Sequence, residues 1–336
     1  MNVLHFTAGY VPGIPTEAIA WHTLVYGARG TKLEVKVPTL TPAQILEVTQ
    51  TVRTATQTQI KNMAVSEIVR AVDLAILKLL DINHPDRKSL DVLLPIATGM
   101  DPTMLQHNFS HYLKTFRGLQ LNRFIAEDFG NPQLLDAFQP RVTGGWTKAT
   151  GADLITHVWA GNVPGLPLWS LISGLLVKAG TLGKVSGAEP ICASIFAKVL
   201  VDIEPRFANC LSIIWWPTED TQTARHVFQL SDIVLAYGGN DALAAIQSQV
   251  PVTTRFLPHG HKISFAVVTS YALSVVRAKH IAKLAALDIA RYEQQGCYSP
   301  QMFYVERGAQ VSPQEFAQLL ASELAGLAHK YPRSDM

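Results

Sequence analysis

Charge is scarce in this chain. Lys, Arg, Asp and Glu make up 16% of its 336 residues, and the formal net charge is +2. No basic stripe runs through it, so a nucleic-acid surface is not expected. Hydrophobic residues make up 48%, which excludes extended disorder and allows a large core. Cysteine is as sparse: Cys192, Cys210 and Cys297 are an odd number, and no Cys-x-x-Cys spacing occurs. That excludes a disulfide framework and points to a reducing, cytoplasmic compartment. Neither Gly-x-Gly-x-x-Gly nor Gly-x-x-x-x-Gly-Lys-Ser/Thr is present, which excludes an ordinary Rossmann fingerprint and a P-loop. No repeat, low-complexity tract, signal peptide or metal-ligand spacing is found. One uncharged run, 158–177, approaches bilayer length. Asn162, Pro164, Gly165 and Pro167 interrupt it, so it reads as strand, turn and buried helix, and no transmembrane span is expected.

What is present suits two domains. Residues 1–40 give only β-like fragments with no clear period. Thr41-Pro42-Ala43-Gln44 is a capping-box helix start with proline at the first position. Ile45, Val48 and Val52 follow at helical spacing, then Ile68, Val69, Val72, Ile76, Leu79 and Leu80 on the face of a second helix. Residues 89–138 read as mostly helical. From 153 the rhythm changes. Apolar strands (LITHVWA, LGKVS, CLSIIWW, DIVLAY, TTRFLP) alternate with helical stretches, the pattern of a parallel sheet covered on both faces. Such a sheet places a ligand crevice at the carboxyl ends of its strands. A further strand, KISFAVVT, precedes a long helix predicted over 271–292. MFYVE is a strand, and Ser312-Pro313-Gln314-Glu315 caps a last helix.

Two stretches carry chemistry. QQGCYSPQ (294–301) sets Cys297 among polar, turn-forming residues directly after a helix. Cys192 and Cys210 have apolar neighbours and read as core. HVWAGNVPG (157–165) sets Asn162 on a turn between strand and helix, where asparagine also serves simply to tolerate an unusual backbone. A thiol that attacks a carbonyl and an amide that holds the oxyanion are the parts acyl transfer needs.

These strings, with βα units between them, resemble the aldehyde dehydrogenase superfamily, and within it the acyl-CoA reductases of the LuxC family. The resemblance implies Cys297 as nucleophile, with Asn162 and the Cys297 N–H holding the oxyanion. It implies a nucleotide cradle at Lys184, Ser186, Gly187, Gly238 and Gly239. The superfamily's Lys-Pro-Ser-Glu motif becomes Lys184-Val185-Ser186-Gly187 here. Without the acid that repels a 2′-phosphate, NADPH is the implied cofactor. PHGHK (258–262) stands where hydrolytic aldehyde dehydrogenases carry Glu-Leu-Gly-Gly-Lys, so Pro258 replaces the base that activates water. His157, His259 and His261 are lesser acid–base candidates.

The implied fold is α/β and aldehyde-dehydrogenase-like. A mostly helical N-terminal part (1–150) would precede a Rossmann-like dinucleotide-binding domain (151–262) and the start of a catalytic domain (263–336). Because the chain ends at residue 336, the sequence anticipates an incomplete or oligomer-completed catalytic domain. The implied function is NADPH-dependent reduction of long-chain acyl-CoA, or of acyl on a protein, to fatty aldehyde through a thioacyl-cysteine. A homo-oligomer is expected, as is partnership with an acyl-protein synthetase and an acyl transferase, as in luminescence systems. Two alternatives stay open: a hydrolytic NAD(P)-dependent aldehyde dehydrogenase, and a truncated non-catalytic subunit that binds nucleotide or acyl donor.

Overall fold

The structure is a computed structural model that describes residues 2–332. It forms two compact units: residues 1–98 with 109–260, and residues 99–108 with 261–336.

The first unit opens on a three-stranded sheet. β1 (Asn2–Thr7) pairs parallel and β2 (Ala20–Ala28) antiparallel with the central β3 (Thr31–Thr39). These strands occupy the stretch for which the sequence gave no period. The cause is visible in β2, whose two faces are both largely solvated, so apolar and polar residues do not alternate cleanly. Five helices follow: α1 (Pro42–Thr58), α2 (Val65–Leu80), α3 (Pro85–Thr98), α4 (Pro102–Lys114) and α5 (Gly118–Phe129). α1 starts at the expected capping box, with the Thr41 hydroxyl accepting from the Gln44 N–H. α4 begins in the second unit. A short ribbon, β4 (Gln139–Pro140) with β5 (Trp146–Thr147), leads to the main sheet.

The main sheet holds β6 (Leu154–Val158), β7 (Gly180–Lys184), β8 (Leu211–Ile214), β9 (Ile233–Tyr237) and β10 (Arg255–His259). All pair parallel, in the order β10-β9-β6-β7-β8. The intervening helices are α6 (Leu166–Leu176), α7 (Ile191–Ile203), α8 (Thr221–Gln229) and α9 (Asn240–Gln247). β6 and β7 are buried along almost their whole length, which is why they read as unbroken apolar runs. On one face Leu154, Leu182, Ile214 and Val234 pack against Ile45, Val48 and Val52 of α1 and Val227 and Phe228 of α8. Burying each of these side chains is worth about 1.5–3 kcal/mol. α6 and α7 pack against the strands from the sheet's other face, and α2 in turn packs on α6 and α7. Strand order reverses between β6 and β9, so their loops flank a topological switch point. The uncharged run 158–177 is indeed strand end, turn and the buried α6. Among the described residues no helix is long and apolar enough to cross a membrane.

The second unit contains β11 (Ser264–Val268), α10 (Ala278–Ala290), β12 (Pro300–Val305) and α11 (Pro313–Lys330). β11 and β12 pair parallel. The long helix expected over 271–292 is shorter. A 3-10 turn at Ser270–Leu273 precedes α10, and a kinked turn at Arg291–Gln294 follows it. Val268, Leu273, Ala282, Ala285 and Phe316 form the core here.

His157 is fully buried on β6 and stacks on Trp159 at 5.6 Å. Neither ring nitrogen has a hydrogen-bond partner among the described residues. Burial therefore favours the neutral ring and lowers the pKa from 6.5 to about 3. Between those values the unfolded chain binds a proton that the folded chain refuses. This contribution to stability is thus complete above the ordinary imidazole pKa and is lost as pH falls toward 3. From pH 7 to pH 5 it amounts to about 2 kcal/mol. His157→Phe should shrink the pH 7-to-5 difference in urea unfolding free energy by that amount. An unchanged difference would contradict a buried neutral ring.

Candidate active site

The site residues expected from the sequence fall into two groups, one in each unit. Asn162, Lys184, Ser186, Gly187, Gly238 and Gly239 lie in the first unit, at the carboxyl ends of β6, β7 and β9. Cys297 lies in the second.

Asn162 is exposed on the turn between β6 and α6. Its neighbour Gly161 explains the turn's seating. A Cβ there would stand 2.7 Å from the Ser186 Oγ and 2.7 Å from the Ala188 Cβ, so only glycine lets the β6 turn lie on the loop after β7. Ser186 itself accepts from the Ala188 N–H at 3.1 Å.

Lys184 ends β7 and is buried. Its ammonium faces the Trp216 ring at 5.8 Å. It makes no hydrogen bond or ion pair among the described residues, and burial lowers its pKa against the opposing field of Glu219. A buried cation with so little compensation is a natural partner for a polar or anionic ligand. Gly187 offers room. A Cβ there would meet only the Trp215 Nε1, at 3.9 Å, and would leave the approach open. Gly239 caps the start of α9, and a Cβ there would meet nothing within 4 Å. Gly238 donates its N–H to the His259 carbonyl at 3.3 Å, and His259 stacks on Tyr237 at 4.8 Å. An exposed, side-chain-free approach at a switch point, with a buried ammonium beside it, fits a dinucleotide. His259 and His261 are exposed, and desolvation moves the His259 pKa down.

Sequence reasoning missed the residues that hold the loop after β7 in place. Glu189 is fully buried between β7 and α7. Its Oε1 accepts from the Ile191 N–H at 2.7 Å and the Cys192 N–H at 2.8 Å, capping α7. It also accepts from the Gly165 N–H at the start of α6. Burial raises its pKa despite these three donors, and its Oε2 has no partner among the described residues. The only sequence signal was an acid two residues before an apolar helix. Tyr26 of β2 donates its hydroxyl to the Gly187 carbonyl at 2.6 Å, and burial followed by the field of Glu189 raises its pKa. His22, also on β2, stacks on Trp215 at 4.6 Å. These long-range contacts leave no local trace in the chain.

In the second unit, Cys297 is exposed, whereas Cys192 and Cys210 are buried in the first, as their apolar neighbours implied. Burial raises the Cys192 pKa and moves that of Cys210 to about 11, so neither thiol ionises readily. Three successive non-glycine residues ahead of Cys297 have left-handed backbones: Tyr292 (φ 51°), Glu293 (φ 52°) and Gln294 (φ 65°). Such residues cost on the order of 1–3 kcal/mol each and persist only where their surroundings impose them. The Tyr292 side chain is buried, and the Gln294 amide donates to the Pro300 carbonyl at 3.0 Å. Ser264, at the start of β11, donates to the Cys297 carbonyl at 2.7 Å. Pro258, where a hydrolytic base was sought, stands on β10 opposite Ala236.

Glu189→Ala would orphan three backbone N–H groups, and an unfolding free energy lower by about 3 kcal/mol is expected in urea titration. Glu189→Gln keeps an acceptor and should lose less than half of that. A loss below about 0.5 kcal/mol for the alanine variant would show that the carboxylate is not the tie described.

Relatives carry the comparison further. Among solved structures, aldehyde dehydrogenase 21 from Physcomitrella patens, in complex with the reaction product succinate, matches with a TM-score of 0.70 at 12% identity. The match covers 97% of this chain and 64% of that one. Lactaldehyde dehydrogenase from Escherichia coli matches with a TM-score of 0.69 at 13% identity, over 96% and 64%. The fold is therefore aldehyde-dehydrogenase-like. A long-chain acyl-protein thioester reductase from Photorhabdus laumondii is 29% identical over 213 residues, 62% of this chain and 43% of that protein. The Vibrio harveyi protein of the same name is 30% identical over 183 residues, 54% and 37%. The chain spans less than half the length of these curated relatives over the matched stretch. The family model for acyl-CoA reductase (LuxC) matches residues 60–336, most of the sequence, and on that match the chain belongs to the acyl-CoA reductase (LuxC) family.

Proposed function

We propose that this chain takes a long-chain acyl group from a thioester onto Cys297 and releases it as fatty aldehyde, with NADPH as reductant. The observation that carries the reading is the exposure of Cys297, just after a left-handed run at 292–294, in a chain of the acyl-CoA reductase (LuxC) family. In this reading residues 151–262 bind the nucleotide and residues from 263 onward begin the catalytic domain.

The Cys297 thiolate attacks the thioester carbonyl, and the tetrahedral oxyanion is held by the Asn162 amide and the Cys297 N–H. The carbon–sulfur bond to the donor breaks, the donor leaves as a thiol, and a thioacyl-cysteine remains. Bound NADPH would supply the hydride that takes this acyl carbon to the aldehyde level, and cleavage of the bond to the Cys297 Sγ then releases the aldehyde and returns the free thiolate. Lys184, Ser186, Gly187, Gly238 and Gly239 cradle the nucleotide. The open, uncharged position at Gly187 supports a 2′-phosphate there, and hence NADPH over NADH.

Pro258 supports the reductive outcome over hydrolysis, because a proline ring cannot activate water for deacylation. The relatives' names favour an acyl group borne on a protein as the natural donor, with long-chain acyl-CoA as its soluble equivalent. An acyl-protein synthetase and an acyl transferase are the proposed partners, the cytoplasm the proposed compartment, and a homo-oligomer the proposed state.

Brief incubation with tetradecanoyl-CoA followed by intact-mass measurement tests the first step. The wild type should gain one tetradecanoyl group and Cys297→Ala none. An adduct on both proteins, or on neither, would refute Cys297 as the acyl acceptor.

A further inference from the structure

The second unit contains a cavity with no part in the chemistry above. α10 and α11 close over one another at Ala282, Ala285 and Phe316. Ile289 of α10, Leu324 and Leu327 of α11 and the C-cap residue Tyr331 line a cavity of about 360 Å³, whose further wall is Met104 and Leu105 of α4. Leu324, Leu327 and Ala328 share one face of α11, which presents an apolar strip to the space, and Tyr331 follows as the helix's C-cap. The volume is in the range of small-molecule sites, about 300–1,000 Å³. Methionine in the wall adapts to a flexible apolar guest.

The cavity is also joined to the nucleophile through the chain itself. Tyr292, Glu293 and Gln294, the left-handed turn ahead of Cys297, are lining residues too. The same backbone strain that sets the course of the chain into Cys297 thus shapes one wall. Asp101 and Glu293 on the lining disfavour an anionic guest, so the cavity suits an uncharged alkyl chain better than a free fatty acid.

We propose that this cavity seats the alkyl chain of the acyl group that Cys297 accepts. The proposal rests on the reading of Cys297 as acyl acceptor, and it adds a length-selecting pocket made by α4, α10 and α11. A thioester with a long chain would anchor there and hold its carbonyl at the Cys297 turn, whereas a short chain would gain nothing from it.

Two filling substitutions on different helices, Leu327→Trp and Met104→Trp, test it, each checked for a cooperative thermal transition. Calorimetric titration with 1-decanol reads the cavity without any chemistry. The wild type should bind, and each variant should bind about tenfold more weakly. In parallel, the rate of Cys297 acylation should fall about tenfold for tetradecanoyl-CoA and stay unchanged for acetyl-CoA. If one variant does not fold, the other decides. Equal decanol binding by wild type and variants would overturn the proposal, as would equal slowing with both thioesters. If wild type binds no decanol and Leu327→Trp dissolves a dimer, the cavity belongs to a contact between copies instead. If no thioester acylates the wild type, the acyl-acceptor reading falls, and the decanol titration alone decides whether the cavity takes alkyl chains.

Discussion

The larger unit of this molecule depends on one buried carboxylate. Glu189 sits where the loop after β7 turns into α7, and its oxygen collects backbone N–H groups from the starts of both α6 and α7. Two helix N-termini and a carboxylate attract one another through dipole and hydrogen bond, and burial strengthens each contact by removing competing water. Because α6 begins four residues after Asn162 and the β7 loop holds Lys184 to Gly187, the same tie fixes both the amide turn and the cradle loop. Gly161 completes the fit by letting the two loops touch without a side chain between them.

The second unit is organised by a different constraint, the left-handed run from Tyr292 to Gln294. No glycine relieves it, so its cost must be offset by burial of Tyr292 and by the hydrogen bonds that flank Cys297. Strain held in this way is found where a side chain has to be aimed. Here it lies three residues ahead of the exposed cysteine and lines an apolar cavity. In the proposed reading, acyl acceptance and the seating of the alkyl chain would both depend on this one turn.

Much of the main sheet was legible in the sequence because β6, β7 and β8 are buried on both faces and read as apolar runs. LITHVWA and DIVLAY could hardly be anything else, and Thr41 and Ser312 announced their helices. The first forty residues were not legible, since β2 is solvated on both faces and makes its sense only against β3 and Trp215. The turn ahead of Cys297 escaped for a related reason. Arg291 to Gln294 has ordinary helix-forming composition, so local propensity extends α10 through it, while tertiary packing of Tyr292 ends the helix. Glu189 and Tyr26 were missed because their partners are set by the fold, whereas Asn162 and Cys297 stood out because their flanking strings are local.

The account turns on whether acyl held on Cys297 leaves by reduction. Protein labelled with a radioactive tetradecanoyl group at Cys297, freed of excess thioester and mixed with NADPH, should release the label as tetradecanal, with one NADPH oxidised for each aldehyde formed. Release of the label as tetradecanoic acid, with NADPH unconsumed, would contradict it and restore a hydrolytic reading despite Pro258.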